Sequence, residues 1–263
     1  MTMTYFQAIF LGALQGVTEF LPVSSSAHLV VFSKLLEIPY QGKTFDIFLN
    51  SGTLLAILVF FRRRVYGLLM GVVDFLLRKK TENRYFFVTV VLSSLPVVVI
   101  FGFLEMVFPV DVTSEIILAW SLIFFAVVLL WCDANPVSRR NISRMDSLLV
   151  GLLQPLSIIP GISRLGLCLS VMRYMKYSRE ESFKYSMILS IPPVCGACIL
   201  KIAQICIGGM HGVDWSLVAV GSFSSFICGV ITLFTTVKFM KKYTLLPIIV
   251  YRILLGSYIL LSN

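Results

Sequence analysis

Apolar runs close to the length of a bilayer's hydrocarbon core follow one another along this chain, and they restrict its fold more than any other feature. They cover Phe45–Phe61, Phe86–Phe103, Ile116–Trp131, Tyr185–Ile207, Ser216–Val237 and Leu245–Leu261. About twenty such residues cross a ~30 Å core as a helix, so each run is a candidate span. Composition agrees: 58% of residues are apolar and 13% charged, with mean hydropathy +0.92. Soluble domains run near 45–50% apolar and about 25% charged. Disorder, a coiled coil and a secreted disulfide scaffold are excluded together, leaving an all-α integral membrane protein with one domain over 1–263.

Two further apolar stretches are broken. Thr4–Leu36 is interrupted at Leu21-Pro22-Val23-Ser24-Ser25-Ser26, and Ser147–Met172 at Ile159-Pro160-Gly161-Ile162-Ser163-Arg164. Irregular backbone at membrane depth is tolerated only where protein or a wet cavity satisfies it.

The basic residues then set the topology, because cytoplasmic loops carry the excess of Lys and Arg. Segments 62–84, 132–146, 173–184 and 238–244 hold seven, three, four and three of them, 17 of the chain's 22. Segment 104–115 has none, only Glu105, Asp111 and Glu115, and is expected outside. Because 132–146 and 173–184 fall on one side, Ser147–Met172 must enter and leave by the same face as a re-entrant hairpin. Thr4–Leu36 reads as the same device entering from outside. The expected architecture is six transmembrane helices plus two re-entrant helical hairpins. They form inverted repeats over about 1–135 and 146–263. Pro22-x-x-Ser25 matches Pro160-x-x-Ser163, and Gln15 and Gln154 precede the two tips at similar distance. Inverted repeats with broken helices place a polar site near the midplane, where the tips meet.

The net charge of +9 belongs to this topology and not to nucleic acid, since no basic patch is interleaved with stacking aromatics. The six cysteines lie mainly in or beside apolar stretches, and Cys195-Gly-Ala-Cys198 has no flanking charge to activate a thiol. The N-terminus lacks a basic region and a small-residue cleavage site, so no removed signal peptide is expected. Gly12-x-x-x-Gly16 reads as tight helix packing, and His211 as part of an external turn.

Ionisable residues at membrane depth are functional candidates. The first hairpin offers Glu19 and His28, with Gln15, Ser24, Ser25 and Ser26 beside them; the second offers Gly161, Ser163 and Arg164. Gln15 and Glu19, four apart on one helix face, suit a hard cation such as Mg²⁺ or Ca²⁺. Arg164 presents a fork that matches phosphate oxygens, and Gly161 and Ser163 precede a helix whose N–H groups can hold an anion. Ser25 is a candidate nucleophile, with His28 three residues on as its acid or base. Together these residues make a site for phosphoryl transfer on a lipid phosphate.

At this point the sequence resembles a known family. Gln15-Gly-Val-Thr-Glu19-Phe-Leu-Pro22-Val-Ser24-Ser25-Ser26-Ala27-His28 is similar to the first signature of the undecaprenyl-diphosphate phosphatases, the bacitracin-resistance family. Pro160-Gly-Ile-Ser163-Arg164 is similar to the second, and further likeness runs through Thr44–Gly52, Ser178–Phe183, Ser190–Pro192 and Tyr251–Gly256. The resemblance implies hydrolysis of undecaprenyl diphosphate to the monophosphate carrier lipid in the bacterial cytoplasmic membrane. It also implies a divalent cation and a homodimer. Residue by residue it implies a metal motif at Gln15 and Glu19, a nucleophile at Ser25, an essential His28 and a diphosphate-binding Arg164. Leu165 and Cys168 stand where the family usually has hydroxyl residues, Gln15 where glutamate is common, and Ala27 where glycine is usual.

Two rivals are weighed. Lipid phosphatases with paired histidines need two suitably placed His, and this chain has only His28 and His211. A polyprenyl-phosphate flippase or anion transporter shares the architecture, but it needs the arginine without a nucleophile and base.

Overall fold

A computed structural model describes residues 3–38, 42–107, 114–139, 141–208 and 214–262. Within them the chain is helical and no named strand occurs. Segments 108–113 and 209–213 are outside the described residues, and with them half of the expected external loop 104–115 and the turn at His211.

The first broken stretch forms α1 (Tyr5–Thr18) and α2 (Ser25–Leu35). Next come α3 (Gly42–Phe60), α4 (Arg62–Leu76), α5 (Glu82–Val107) and α6 (Glu115–Asp133). The second broken stretch forms α7 (Arg144–Leu153), a 3₁₀ turn over Gln154–Ile158, and α8 (Arg164–Tyr174). The remainder is α9 (Arg179–Leu189), α10 (Ile191–Gly208), α11 (Trp215–Lys242) and α12 (Leu246–Ser262). Each hairpin starts on a reciprocal cap. Thr4 with Gln7 opens α1, and Ser143 with Asp146 opens α7, so two orphan N–H groups are satisfied at each start.

Four helical stretches are long and apolar enough to cross a membrane: 82–104, 115–133, 179–207 and 215–242. The α3–α4 pair passes the same test only as one unit, and α12 is apolar but shorter. The chain is thus a multi-pass helical membrane protein. One departure from the sequence reading concerns 62–84, expected as a loop. It contains α4, which turns 88° from α3 at the break after Phe60.

Close backbone approach sets the packing. A Cβ on Gly12 would fall 2.1 Å from the Gly221 carbonyl oxygen, and one on Gly16 2.5 Å from that of Ser225. The Gly12/Gly16 face therefore seats α1 on α11. In the other half α7 lies along α5, while α6 pairs with α12.

The four basic segments gather at one end of the bundle. Arg64 pairs with Glu181 at 3.0 Å and Lys241 with Glu180 at 3.3 Å. Asp133 accepts from Arg173 at 3.0 Å and Arg179 at 2.7 Å, and Arg139 reaches Asp146 at 2.7 Å. At the opposite end Lys34 meets Glu115 at 2.8 Å, and the Tyr5 hydroxyl meets that of Ser216 at 2.9 Å.

Candidate active site

Both hairpin tips use an unusual backbone conformation just before their second helix. Ser24 has φ 72° and Gly161 φ 88°. At Gly161 a Cβ would lie 2.4 Å from the Leu118 carbonyl oxygen, so glycine meets both the conformational and the steric demand. Ser24 has a Cβ, and left-handed backbone there costs about 1–3 kcal/mol. The conformation is held from outside, because the Ser24 carbonyl accepts from His28 Nδ1 at 2.7 Å. The Ser24 side chain makes no cap bond to α2 and lies 3.2 Å from the Ser26 hydroxyl instead. At the other tip the Ser163 hydroxyl caps α8 by accepting from the Gly166 N–H at 3.1 Å.

Glu19, the C-cap residue of α1, joins the two hairpins. Its Oε1 accepts from Arg164 Nη2 at 2.8 Å. Its Oε2 accepts from the Ser25 hydroxyl at 2.7 Å and from Gln15 Nε2 at 3.1 Å. Gln15 Nε2 also donates to Asn50 Oδ1 at 2.8 Å, tying the cluster to α3. Glu19, Ser25, Asn50 and Arg164 border a cavity of about 330 Å³ whose polar lining also includes Ser24, Ser26 and Ser163. The N-termini of α2 and α8 therefore open onto one space. Two helix N-termini with a guanidinium between them favour an anion. Only Nη2 of Arg164 is engaged by Glu19, which leaves the rest of its fork for a ligand.

Of the residues singled out in the sequence, Glu19, Ser24, Ser25, Ser26, Ser163 and Arg164 line this cavity. Gln15 lies behind it, 1% exposed. Gly161 shapes the tip without lining it. His28 is not joined to the cluster. Its Nε2 lies 2.7 Å from the Tyr251 hydroxyl, and it borders a second, apolar cavity between α1, α2 and α12. The Ser25 hydroxyl is held by Glu19, and the imidazole makes no hydrogen bond to it.

Oxygen donors for a cation are Glu19, the Asn50 side-chain carbonyl and Gln15 Oε1, which is buried without a hydrogen-bond partner. Among the described residues no three His, Cys, Asp or Glu gather as a metal cage. A single carboxylate fits a hard cation held jointly with substrate phosphate, as Mg²⁺ commonly is.

Sequence reasoning missed Arg252, which is 1% exposed. It donates from Nη1 to the Pro22 carbonyl at 2.8 Å, from Nη2 to Gly161 at 3.2 Å and from Nε to Leu122 at 3.3 Å. One α12 side chain thus holds both tips. The signal was present, since Arg252 is an ionisable residue inside the apolar run Leu245–Leu261. Asn50 was visible only within the stretch Thr44–Gly52.

A family model described as "Bacitracin resistance protein BacA" matches residues 8–258. The undecaprenyl-diphosphatase of Alcanivorax borkumensis is 34% identical over 259 residues, covering 97% of both chains. That of Geobacter sulfurreducens is 33% identical over 267 residues and 98% of both chains. Undecaprenyl-diphosphatase 2 of Stutzerimonas stutzeri is 32% identical, again over 98% of both.

Proposed function

The chain belongs to the BacA family of bacitracin resistance proteins, and on that premise we propose that it is an undecaprenyl-diphosphate phosphatase. It hydrolyses the diphosphate to undecaprenyl phosphate and inorganic phosphate in the bacterial cytoplasmic membrane. The carrier lipid is thereby returned to peptidoglycan synthesis, and bacitracin resistance follows. The observation that carries this reading is the Glu19 carboxylate, bonded at once to the Ser25 hydroxyl and to Arg164 of the opposite hairpin.

In this mechanism Arg164 and the N–H groups opening α2 and α8 hold the diphosphate. Ser25 Oγ attacks the terminal phosphorus while Glu19 takes its proton. The anhydride P–O bond breaks and undecaprenyl phosphate leaves, its charge stabilised by Arg164. Water then attacks the phosphoserine; Glu19 returns its proton to Ser25 Oγ as that bond breaks, and inorganic phosphate departs. His28 does not take part in proton transfer and supports the Ser24 turn. Glu19, with Gln15 and Asn50 beside it, would hold Mg²⁺ or Ca²⁺, which when bound would neutralise diphosphate charge.

Six membrane crossings with two re-entrant hairpins in inverted repeats are part of the same proposal. The clustering of the four basic segments at one end supports it, as does the exchange by which α1 lies on α11 and α7 on α5. The homodimer implied by the family resemblance is included, and light scattering in detergent checks it. Transport of a polyprenyl phosphate or another anion needs Arg164 but no hydroxyl bonded to a carboxylate.

Phosphate release from undecaprenyl diphosphate by the purified chain tests the function. Release that EDTA stops and added Mg²⁺ or Ca²⁺ restores is the expected result. Absence of release from folded, metal-supplied protein makes transport the better reading.

A further inference from the structure

Helix α4 has two faces, and the fold uses one of them. On the inner face Gly71 packs so closely that a Cβ would lie 2.3 Å from the Asn83 carbonyl oxygen of α5, and Asp74 is buried with its carboxylate accepting from Thr81 at 2.6 Å. On the outer face Tyr66, Leu69, Val73 and Leu76 recur at three- and four-residue steps, a single helical stripe. They are exposed, Tyr66 at 64%, Leu69 at 60% and Leu76 at 73%.

Basic residues stand at both ends of this stripe. Arg62 and Arg63 open the helix; Arg78, Lys79 and Lys80 follow it, all exposed. The trailing turn is built, with Arg78 at φ 57° and Arg84 Nη1 donating to the carbonyls of Arg78 and Lys79 at 3.3 Å. Among the described residues none of these five cations has a carboxylate partner. At the same end of the bundle Arg64, Arg139, Arg173, Arg179 and Lys241 are each paired with one. Arg84, Arg144, Lys176, Lys238 and Lys242 also lack a carboxylate partner among the described residues, but only α4 has such cations at both ends of an exposed apolar stripe, and it turns 88° from the span before it.

We propose that α4 lies in the plane of the cytoplasmic membrane surface and docks on anionic phospholipid. Its outer stripe enters the acyl boundary, and the two basic clusters meet headgroups. An apolar stripe flanked by cations is the chemistry of an interfacial helix on an acidic leaflet. Fifteen residues span roughly 22 Å at about 1.5 Å each, so the two clusters engage separate lipids. A second copy of the chain fits less well, since it would bring the same positive clusters against these.

The test uses full-length protein in mixed micelles of phosphatidylglycerol and phosphatidylcholine, with retained lipids counted by native mass spectrometry. Wild type is expected to retain phosphatidylglycerol in preference, and added salt to weaken that preference. Combining Arg62→Gln, Arg63→Gln, Arg78→Gln, Lys79→Gln and Lys80→Gln should lower it at least about fivefold, the share of one headgroup-contacting cation. Exchanging Arg for Lys and Lys for Arg at the five positions should leave it intact. Equal retention of the two lipids by wild type, or a preference unchanged by neutralisation or salt, overturns the proposal. So does a dimer that Leu69→Glu dissociates, which would assign the stripe to a second copy. Should the neutralised variant fail to fold, the charge-retaining variant and the salt series decide the question.

Discussion

Ser25 and His28 are three positions apart on α2, but their side chains serve different parts of the molecule. The Ser25 hydroxyl donates to Glu19 at 2.7 Å. His28 Nδ1 faces the Ser24 carbonyl, which only accepts, so the neutral ring carries its proton there and Nε2 accepts from the Tyr251 hydroxyl. Both ring nitrogens are hydrogen-bonded, and neither of them to Ser25. Glu19→Gln and Ser25→Ala are expected to lower kcat by roughly 10²–10⁴-fold, the range of a lost acid–base or nucleophilic partner. His28→Asn can keep a donor toward Ser24 and should cost about tenfold, near the worth of one hydrogen bond. Steady-state kinetics on a polyprenyl diphosphate separates the cases, and a His28→Asn loss as deep as that of Glu19→Gln would return the histidine to proton transfer. The Gln15–Glu19 pair was legible in the sequence because four-residue spacing fixes a helix face. The Ser25–Glu19 bond was not, because it depends on how the turn between α1 and α2 closes.

At the scale of elements, the two hairpin tips are held by a third helix. Arg252 supplies the bonds to Pro22 and Gly161, and its removal leaves carbonyls unsatisfied at about 1–3 kcal/mol each. Arg252→Met should therefore lower the thermal midpoint and kcat together. Gly161→Ala should do the same by another route, since its Cβ meets the Leu118 carbonyl and φ is positive. Either variant with wild-type melting and turnover would mean that the tips do not depend on this frame. The breaks within the two stretches could be read from Pro, Gly and Ser in apolar sequence, which are local signals. The frame could not, because Arg252 meets Pro22 across 230 positions of chain. Helix α4 was hidden for a different reason. The basic clusters at its ends read as a solvated loop, and an apolar stripe between them looks the same whether it faces lipid or protein.

Across the whole molecule, the end that gathers the basic segments is a network of ion pairs and hydrogen bonds. Arg173 is 3% exposed and shares Asp133 with Arg179. Asp133→Ala leaves that guanidinium buried without its carboxylate, a loss of about 3–5 kcal/mol in melting experiments. Burial pushes the Asp146 carboxyl up, but hydrogen bonds from Ser143 and Tyr177 and the Arg139 guanidinium outweigh it and hold the group below the usual carboxylate range. A depressed carboxyl contributes stability above its unfolded value, near about 3.9, and loses it as pH falls through the folded value. The wild-type midpoint should thus fall with acid below about pH 4, and Asp146→Asn should flatten that fall. An unchanged slope would place the acid sensitivity elsewhere.

The account depends most on one contact, the ion pair by which Glu19 of the first hairpin and Arg164 of the second make a single site. A double-mutant cycle on kcat/KM for phosphate release, with Glu19→Gln, Arg164→Gln and the pair, measures it directly. If the two hairpins act as one site, the double variant should be little worse than the worse single one, with a coupling of about 1–3 kcal/mol. Losses that simply multiply would mean that the hairpins contribute independently, and would contradict the account.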